Sequence, residues 1–595
     1  MPRPTAILAV LLLTLAPLAA CRQPAGTSPS GKKIIRYPLR AKIGNLDPVR
    51  GATQYQNLPG TPIFERLISY RYPRVPFELR PELLEAMPEV SEDGLTYSFA
   101  LRQGVRFQDD PAFVSTSGKG PEITADDVFY SIKRSCDSHW SPTGYWLFAG
   151  RIEGLDEYKA EQRERIANAA AQGRRVSFDY DAPVSGFRKI DSHHFQIRLT
   201  QPYPQFLYIL AMNYAAIVPR QAVEAYDLEF GQRPVGSGPY RVREFRREGW
   251  LTLERNPTYR EDYFPSDLSA DEVAMGFGAY AGKRVPFLDE IRFEIFEQDQ
   301  PMWLKFRAGD LDVIQVPAEF WPTAFNPDWS AKPKFMGTHL RHYHLPLLDL
   351  IYWGFNMQDP VWGVPPKMKL VRQAISYVVD LEARNQAFYN GLNTLYLGPI
   401  PPGLEGYEPG FRKPDVEKAR RLLAEAGYAG GKGLPPLQYE TSRGGNNREQ
   451  AEMFTRQMGE LGIEVAVNLN SFPELDDKLK KKKAPFFGLA WGADYPDAEN
   501  FLQLFYGPNE SPGSNNFNYR NPEYDALYEQ AKVMFPSPER TALYRRLRDI
   551  VVEDQPMIGS MARTRTYLWH DRLKNHKPEE VYYDWWQYLD VVHEK

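Results

Sequence analysis

The chain is poor in the residues and motifs that usually carry chemistry. It has two cysteines in 595 residues, Cys21 and Cys136. A zinc ribbon, an Fe–S cluster and a disulfide framework are excluded by that count. It has no excess of one charge: 72 Lys and Arg stand against 76 Asp and Glu, a net −4. No global basic field exists to hold nucleic acid, and none is expected as a partner. Long apolar runs are absent but for residues 6–15, too short for a bilayer span of about 20 residues. A multi-span membrane protein is therefore excluded. Neither G-x-S-x-G nor H-E-x-x-H occurs. No catalytic residue, cofactor or metal is expected, and the chain does not read as an enzyme.

What is present is an ordinary globular balance, 43% hydrophobic and 25% charged. The length allows about three to five compact units at roughly 100–200 residues each. Aromatics reach 13%, with 51 prolines. That surplus suits a large binding cleft framed by ordered loops.

Residues 1–20 read as a signal peptide: Arg3, the apolar run broken only by Thr14, then Leu18-Ala19-Ala20-Cys21. The last four resemble a bacterial lipobox, which makes Cys21 the lipidated first residue. Residues 21–33 read as a flexible tether. The expected location is periplasmic or at the cell surface, as a lipoprotein anchored to the membrane.

Periodicity marks strands at 34–39, 95–101, 105–107 and 194–199. Helices are expected at 125–134, capped by Thr124, and at 155–172, stopped by Gly173. Further on, Asp415 caps a helix to Ala426. Then follow a strand at 437–440, a helix at 446–461, a strand at 463–469, a helix at 472–481 and a buried strand at 485–491. That order is β-α-β-α-β, the pattern of a parallel α/β sheet. Ser537-Pro538 opens a helix that buries Leu543, Leu547, Ile550 and Val551.

Other conspicuous residues read as structural. His342 and His344 share one strand face without a ligand carboxylate at suitable spacing. His193 and His194 sit at a loop or edge. The run Lys480 to Lys483 is a solvated turn. The glycine-rich 276–282 lacks the spacing of a phosphate loop. Cys136 is a buried structural thiol.

Several motifs in fixed order then carry a resemblance. They are Leu46-Asp47-Pro48, Phe64-Glu65-Arg66-Leu67, the stretch from Glu92-Asp93-Gly94 to Gly104-Val105-Arg106-Phe107, and Thr124-Ala125-Asp126-Asp127. Gly236-Ser237-Gly238-Pro239-Tyr240, Arg372-Gln373-Ala374-Ile375 and Trp491-Gly492-Ala493-Asp494-Tyr495 follow. Together the chain resembles the family 5 extracellular solute-binding proteins of ABC importers. It departs from them at 108–119, in the charged stretch 150–181 and at 276–283.

The resemblance implies an α/β fold, a bilobal periplasmic-binding-protein-like clamp (type II, cluster C) with an extra α+β subdomain. Lobe I would hold 34–68, 190–316 and 558–595, the subdomain 69–189, and lobe II 317–557. The implied function is capture of peptides in the interlobe cleft for an ABC permease and ATPase complex, by a monomer. The alternatives are an oligosaccharide, an opine, a nickel or haem chelate, or a secreted lipid-anchored hydrolase. In the peptide-binding members the ligand is gripped as an added strand. The matching positions here are Ala52, Thr53 and Gln54, with Ala490, Trp491 and Gly492. The resemblance puts the peptide's α-ammonium on Asp494, and Tyr145 could reach the cleft from the subdomain.

Overall fold

The computed structural model describes residues 31–51, 53–337 and 339–592. The signal segment, Cys21 and Ala52 lie outside them. Strand β1 (Ile34–Leu39) opens the described chain, followed by helix α1 (Gln54–Gly60). A small unit comes next. It has β2 (Glu89–Val90), β3 (Thr96–Ala100), helix α2 (Ala125–Arg134), helix α3 (Leu155–Ala171), β4 (Phe187–Lys189) and β5 (His194–Arg198). Its sheet order is β2-β3-β5-β4. Helix α2 starts where Thr124 and Asp127 form a capping box, the Asp127 carboxylate accepting from the Thr124 N–H at 2.9 Å. Residues 105–107 do not make the expected strand. They run beside residues 121–123 with two backbone hydrogen bonds and one isolated bridge.

The chain then forms β6 (Tyr240–Arg246), β7 (Trp250–Arg255) and β8 (Glu290–Ile295), giving a sheet of order β1-β8-β7-β6 with β1 parallel to β8. One continuous apolar core underlies this sheet and the small unit.

Next come β9 (Val313–Gln315), β10 (Leu340–Pro346), β11 (Asp349–Phe355), α4 (Met368–Val378), α5 (Leu381–Tyr389), β12 (Thr394–Leu395) and α6 (Val416–Glu425). They lead into β13 (Leu437–Ser442), α7 (Asn447–Gly459), β14 (Val465–Asn470), α8 (Phe472–Lys480) and β15 (Phe486–Gly492). Helix α9 (Pro538–Asp554), β16 (Met557–Ala562) and β17 (Thr564–His570) follow. The six-stranded sheet has order β12-β16-β11-β15-β13-β14. Strand β13 is parallel to both β14 and β15, as the β-α-β-α-β pattern predicts. Its two faces bury separate clusters. Leu350, Tyr352 and Phe487 point to one, Trp353, Phe355 and Phe486 to the other, the alternation of a sheet covered on both sides.

The two large sheets are joined through a third, of order β9-β17-β10. Strand β10 runs on into β11, and β16 runs on into β17. The chain thus crosses between sheets at 346–349 and again at 562–564. A double crossing of this kind permits hinge closure with little change inside either lobe. Among the described residues no helix is long and apolar enough to cross a membrane.

The sequence motifs explain themselves as buried ionic joints. Arg134 of α2 donates two hydrogen bonds to Asp47, at 3.0 and 2.7 Å, and both side chains are buried. Arg66 is held between Glu82 and Asp584, while Glu65 accepts from Arg260. Burial pushes the Glu82 carboxyl up to about 7 against the pull of Arg66.

Candidate functional site

The site begins at β15. This strand pairs with β11 along its whole length, from Phe486 opposite Phe355 to Gly492 opposite Asp349. On its other side β13 covers only Phe486 and Phe487. Residues 488–492 therefore have a second edge with no strand neighbour among the described residues. Ala490 and Gly492 are exposed there and Trp491 is half-buried. The reading of 485–491 as a wholly buried strand holds only for its first residues. An open edge of this length presents unpaired N–H and C=O groups and accepts an added strand.

The loop after β15 carries Asp494. Asn500 holds the corner: its Oδ1 accepts from the Trp491 ring N–H at 3.0 Å and from the Asp494 backbone at 3.1 Å, and its Nδ2 donates to Asp494 Oδ2 at 3.0 Å. No basic side chain among the described residues pairs with Asp494. Burial pushes its carboxyl up to about 6; the Asn500 hydrogen bond opposes this and the Glu499 charge adds to it. A carboxylate so placed is short of a cation.

Tyr145 is turned elsewhere. Its hydroxyl bonds Asp156, and the Lys159 ammonium lies 3.1 Å from its ring centre. The tyrosine whose phenol feels the Asp494 charge is Tyr214. Burial raises its phenol, a hydrogen bond with Thr143 lowers it, and the Asp494 charge raises it again. Gly144 is what lets the ring in, since a Cβ there would stand 2.5 Å from the Tyr214 ring.

Gln54 corrects the strand-addition expectation on the opposite wall. Thr53 is extended, but Gln54 is already the first residue of α1, with the Gln56 side chain accepting from the Thr53 N–H at 3.2 Å. A helical backbone cannot add to a strand ladder. Gln54 instead lines a hollow with Tyr55, Arg40 and Gln315. Arg40 and Gln315 also line a cavity of about 270 Å³ under the crossing strand β17. That cavity shares Tyr389 and Arg563 with a third, of about 310 Å³, whose wall includes Gly488 and Ala490. The three adjoin, forming a trough from Gln54 to Ala490 that brings two widely separated sequence segments to one cleft.

Beside the trough the two halves touch. The hydroxyls of Tyr203 and Tyr495 are 3.3 Å apart, and the rings of Tyr208 and Tyr495 stack at 6.1 Å. Gln205, with no exposed surface, donates to Asp497 at 3.3 Å.

Two α/β lobes, a double crossing and a trough between them define a bilobal ligand-binding clamp. The family model of the bacterial extracellular solute-binding proteins, family 5, matches residues 78–513, and the chain belongs to that family. It is 25% identical over 509 residues to a dipeptide-binding protein of Escherichia coli, covering 83% of this chain and 82% of that one. It is 24% identical over 519 residues to heme-binding protein A of Haemophilus influenzae, covering 84% and 82%. The fold matches the periplasmic binding protein DppA of Helicobacter pylori, solved with the peptide STSA, at TM-score 0.69 and 19% identity over 94% of this chain and 98% of that one.

Proposed function

We propose that this protein captures peptides in the interlobe trough and hands them to an ABC importer, as a lipoprotein anchored through Cys21. The observation that carries the reading is Asp494, a desolvated carboxylate without a basic partner among the described residues, at the end of a half-open strand edge. An extended peptide laid on residues 488–492 gains main-chain hydrogen bonds whatever its side chains are. Its α-ammonium, stripped of water by closure, gains the charge of Asp494. Ligand bridging both lobes favours the closed form, which is the form a permease can distinguish from the empty one. The peptide names borne by relatives agree with this reading.

Calorimetry with Ala-Ala-Ala and N-acetyl-Ala-Ala-Ala, on the wild type and Asp494→Asn, tests it. Removing one partner of a desolvated pair costs roughly 2–5 kcal/mol. Each change alone should weaken binding by about 30-fold or more, and the two together little further. Losses that simply add would show that Asp494 does not meet the amine. Failure of any peptide to bind, with haem binding instead, would favour the second reading suggested by the relative from Haemophilus influenzae.

A further inference from the structure

A further cavity lies away from the trough. Its volume is about 690 Å³, against about 310 and 270 Å³ for the cavities of the trough, and it shares no lining residue with them. Gly276, Phe277 and Tyr280 form part of one wall. They belong to the stretch 276–283, where the sequence departs from its family. That wall is held in place from behind. Phe277 is buried and packs on Tyr72 and Phe264, with ring centres 6.0 and 6.2 Å away. The Tyr280 hydroxyl donates to Asp590 at 3.0 Å. The short helix Ala270–Ala274 ahead of it has a capping box of Ser269 and Glu272, and Arg74 donates to Glu272 at 2.8 Å.

Another wall is the free edge of β10, the outer strand of the joining sheet. Residues from both faces of the strand line the cavity, Leu340 and His342 from one, Arg341 and Tyr343 from the other. The Asp571 N–H donates to the His339 carbonyl at 2.7 Å, and Arg341 stands opposite Trp569. Alternation then turns the main-chain N–H and C=O of Leu340 and His342 away from β17. Met275, Phe277, Met336, Tyr343 and Trp569 give the cavity an apolar and aromatic lining. Its charged lining residues are Arg341, Lys574 and Asp571. Both cations pair with the one carboxylate, at 2.8 and 3.0 Å, which leaves one positive charge in excess. Burial lowers the His342 imidazole, so it adds no charge at pH 7. His576 also lines the cavity, 5% exposed, with its ring edge-on to Trp569. Burial pushes it down to about 3, and neither ring nitrogen has a hydrogen-bond partner. A buried imidazole left so is costly, and a ligand that carries a donor or an acceptor to that wall relieves it.

We propose that this cavity is a second ligand site, separate from the interlobe trough, which takes a small aromatic carboxylate. The aromatic group lies against Trp569, Tyr343 and Phe277, and the free edge of β10 offers main-chain hydrogen bonds. The carboxylate meets the excess charge of Arg341 and Lys574, which by the same sign disfavours a cation. The volume is that of a small-molecule pocket, roughly 300–1,000 Å³. The assignment does not depend on what the trough binds.

The test uses the full chain and calorimetry with indole-3-acetate, beside indole-3-acetamide and tryptamine as its neutral and cationic counterparts. The acid should bind about fivefold more tightly than the amide, and tryptamine more weakly than either. Arg341→Gln combined with Lys574→Gln should remove the preference for the acid and leave the amide bound as before. Ala274 is exposed at the end of its short helix and lines the cavity. Ala274→Trp should fill the space and weaken acid and amide alike by about tenfold or more, with the melting temperature of the empty protein unchanged. The trough is the control. Saturating Ala-Ala-Ala, or the change Asp494→Asn, should leave the affinity for indole-3-acetate unaltered. If no peptide binds, the reading of the trough falls while the indole-3-acetate titrations still decide the cavity. Three results would overturn the site: no binding of indole-3-acetate at millimolar concentration, equal affinity in the wild type and Ala274→Trp, or displacement by Ala-Ala-Ala. An unchanged preference for the acid in the doubly substituted protein would overturn the role of Arg341 and Lys574.

Discussion

Asp494 should make ligand binding depend on pH with a sign fixed by its surroundings. In the empty protein burial holds its carboxyl at about 6, against an ordinary 3.8. The charged or titratable groups that bear on it are Glu499, which raises it, and Tyr214, whose phenol stays neutral in this range. A bound ammonium favours the ionised form and lowers the carboxyl by about 1–3 units. Below pH 6 the free site therefore carries a proton that must leave before the ammonium is paired. Affinity should fall by about tenfold between pH 7 and pH 5, at about 1.4 kcal/mol per tenfold. The empty protein should show the opposite preference. A carboxyl whose folded pKa is raised stabilises the fold relative to the ionised form below its unfolded value, and that stability is lost as pH climbs from 3.8 through 6. Asp494→Asn should thus stabilise the empty protein at pH 7 by roughly 1–3 kcal/mol while weakening its ligand. Calorimetry with Ala-Ala-Ala at pH 5, 6 and 7, beside thermal melts without ligand, measures both. A flat affinity profile in the wild type, or the same slope in Asp494→Asn, would refute the assignment.

Two further outcomes follow from particular contacts and a third from the N-terminal sequence. Asp47→Ala leaves Arg134 buried and unpaired, so urea unfolding should show a loss of about 3–5 kcal/mol, and a pair of changes Asp47→Asn with Arg134→Met a smaller one. Gly144→Ala sets a methyl group 2.5 Å from the Tyr214 ring and should cost about 1–3 kcal/mol of stability together with peptide affinity; a variant that binds as before would separate Tyr214 from the site. Cys21→Ser should move the protein from the membrane fraction to the soluble one, and unchanged partition would sink the lipid anchor.

The elements that sequence displays best are those whose ends and faces are local. Asp415 accepts from the Lys418 N–H at 2.8 Å, as a cap read from spacing should, and the helix that follows buries Ala419 and Leu423. The parallel strands β13 and β14 appear where alternation puts them. Gln54 departs from the strand-addition expectation because order along a family motif gives a position and not a backbone conformation. The correcting signal was present: Thr53-Gln54-Tyr55-Gln56 has the S/T-x-x-E/Q form of a helix start. Tyr214 had no such signal, since the seating of its ring depends on a glycine seventy residues earlier. Arg384 sits among Glu382, Ala383 and Asn385, and nothing in that local pattern marks it as buried. Its burial comes from Trp353, on a strand of the sheet beneath. Charges left uncompensated by tertiary packing cannot be recognised from composition, because pairing is a property of space.

That point bears on what the trough selects. The cavities between Gln54 and Ala490 have no acidic side chain on their walls, and their arginines other than Arg384 are tied to acids behind them: Arg40 to Asp299, Arg563 to Asp349, Arg565 to Glu580. If Asp494 meets the ligand's ammonium as proposed, it is a group that is costly in the empty protein and is relieved by a positive charge. Selection for a ligand with a free amine over a neutral solute would then come from strain already present in the empty clamp. The main-chain edge at residues 488–492 would supply affinity without choosing among peptides.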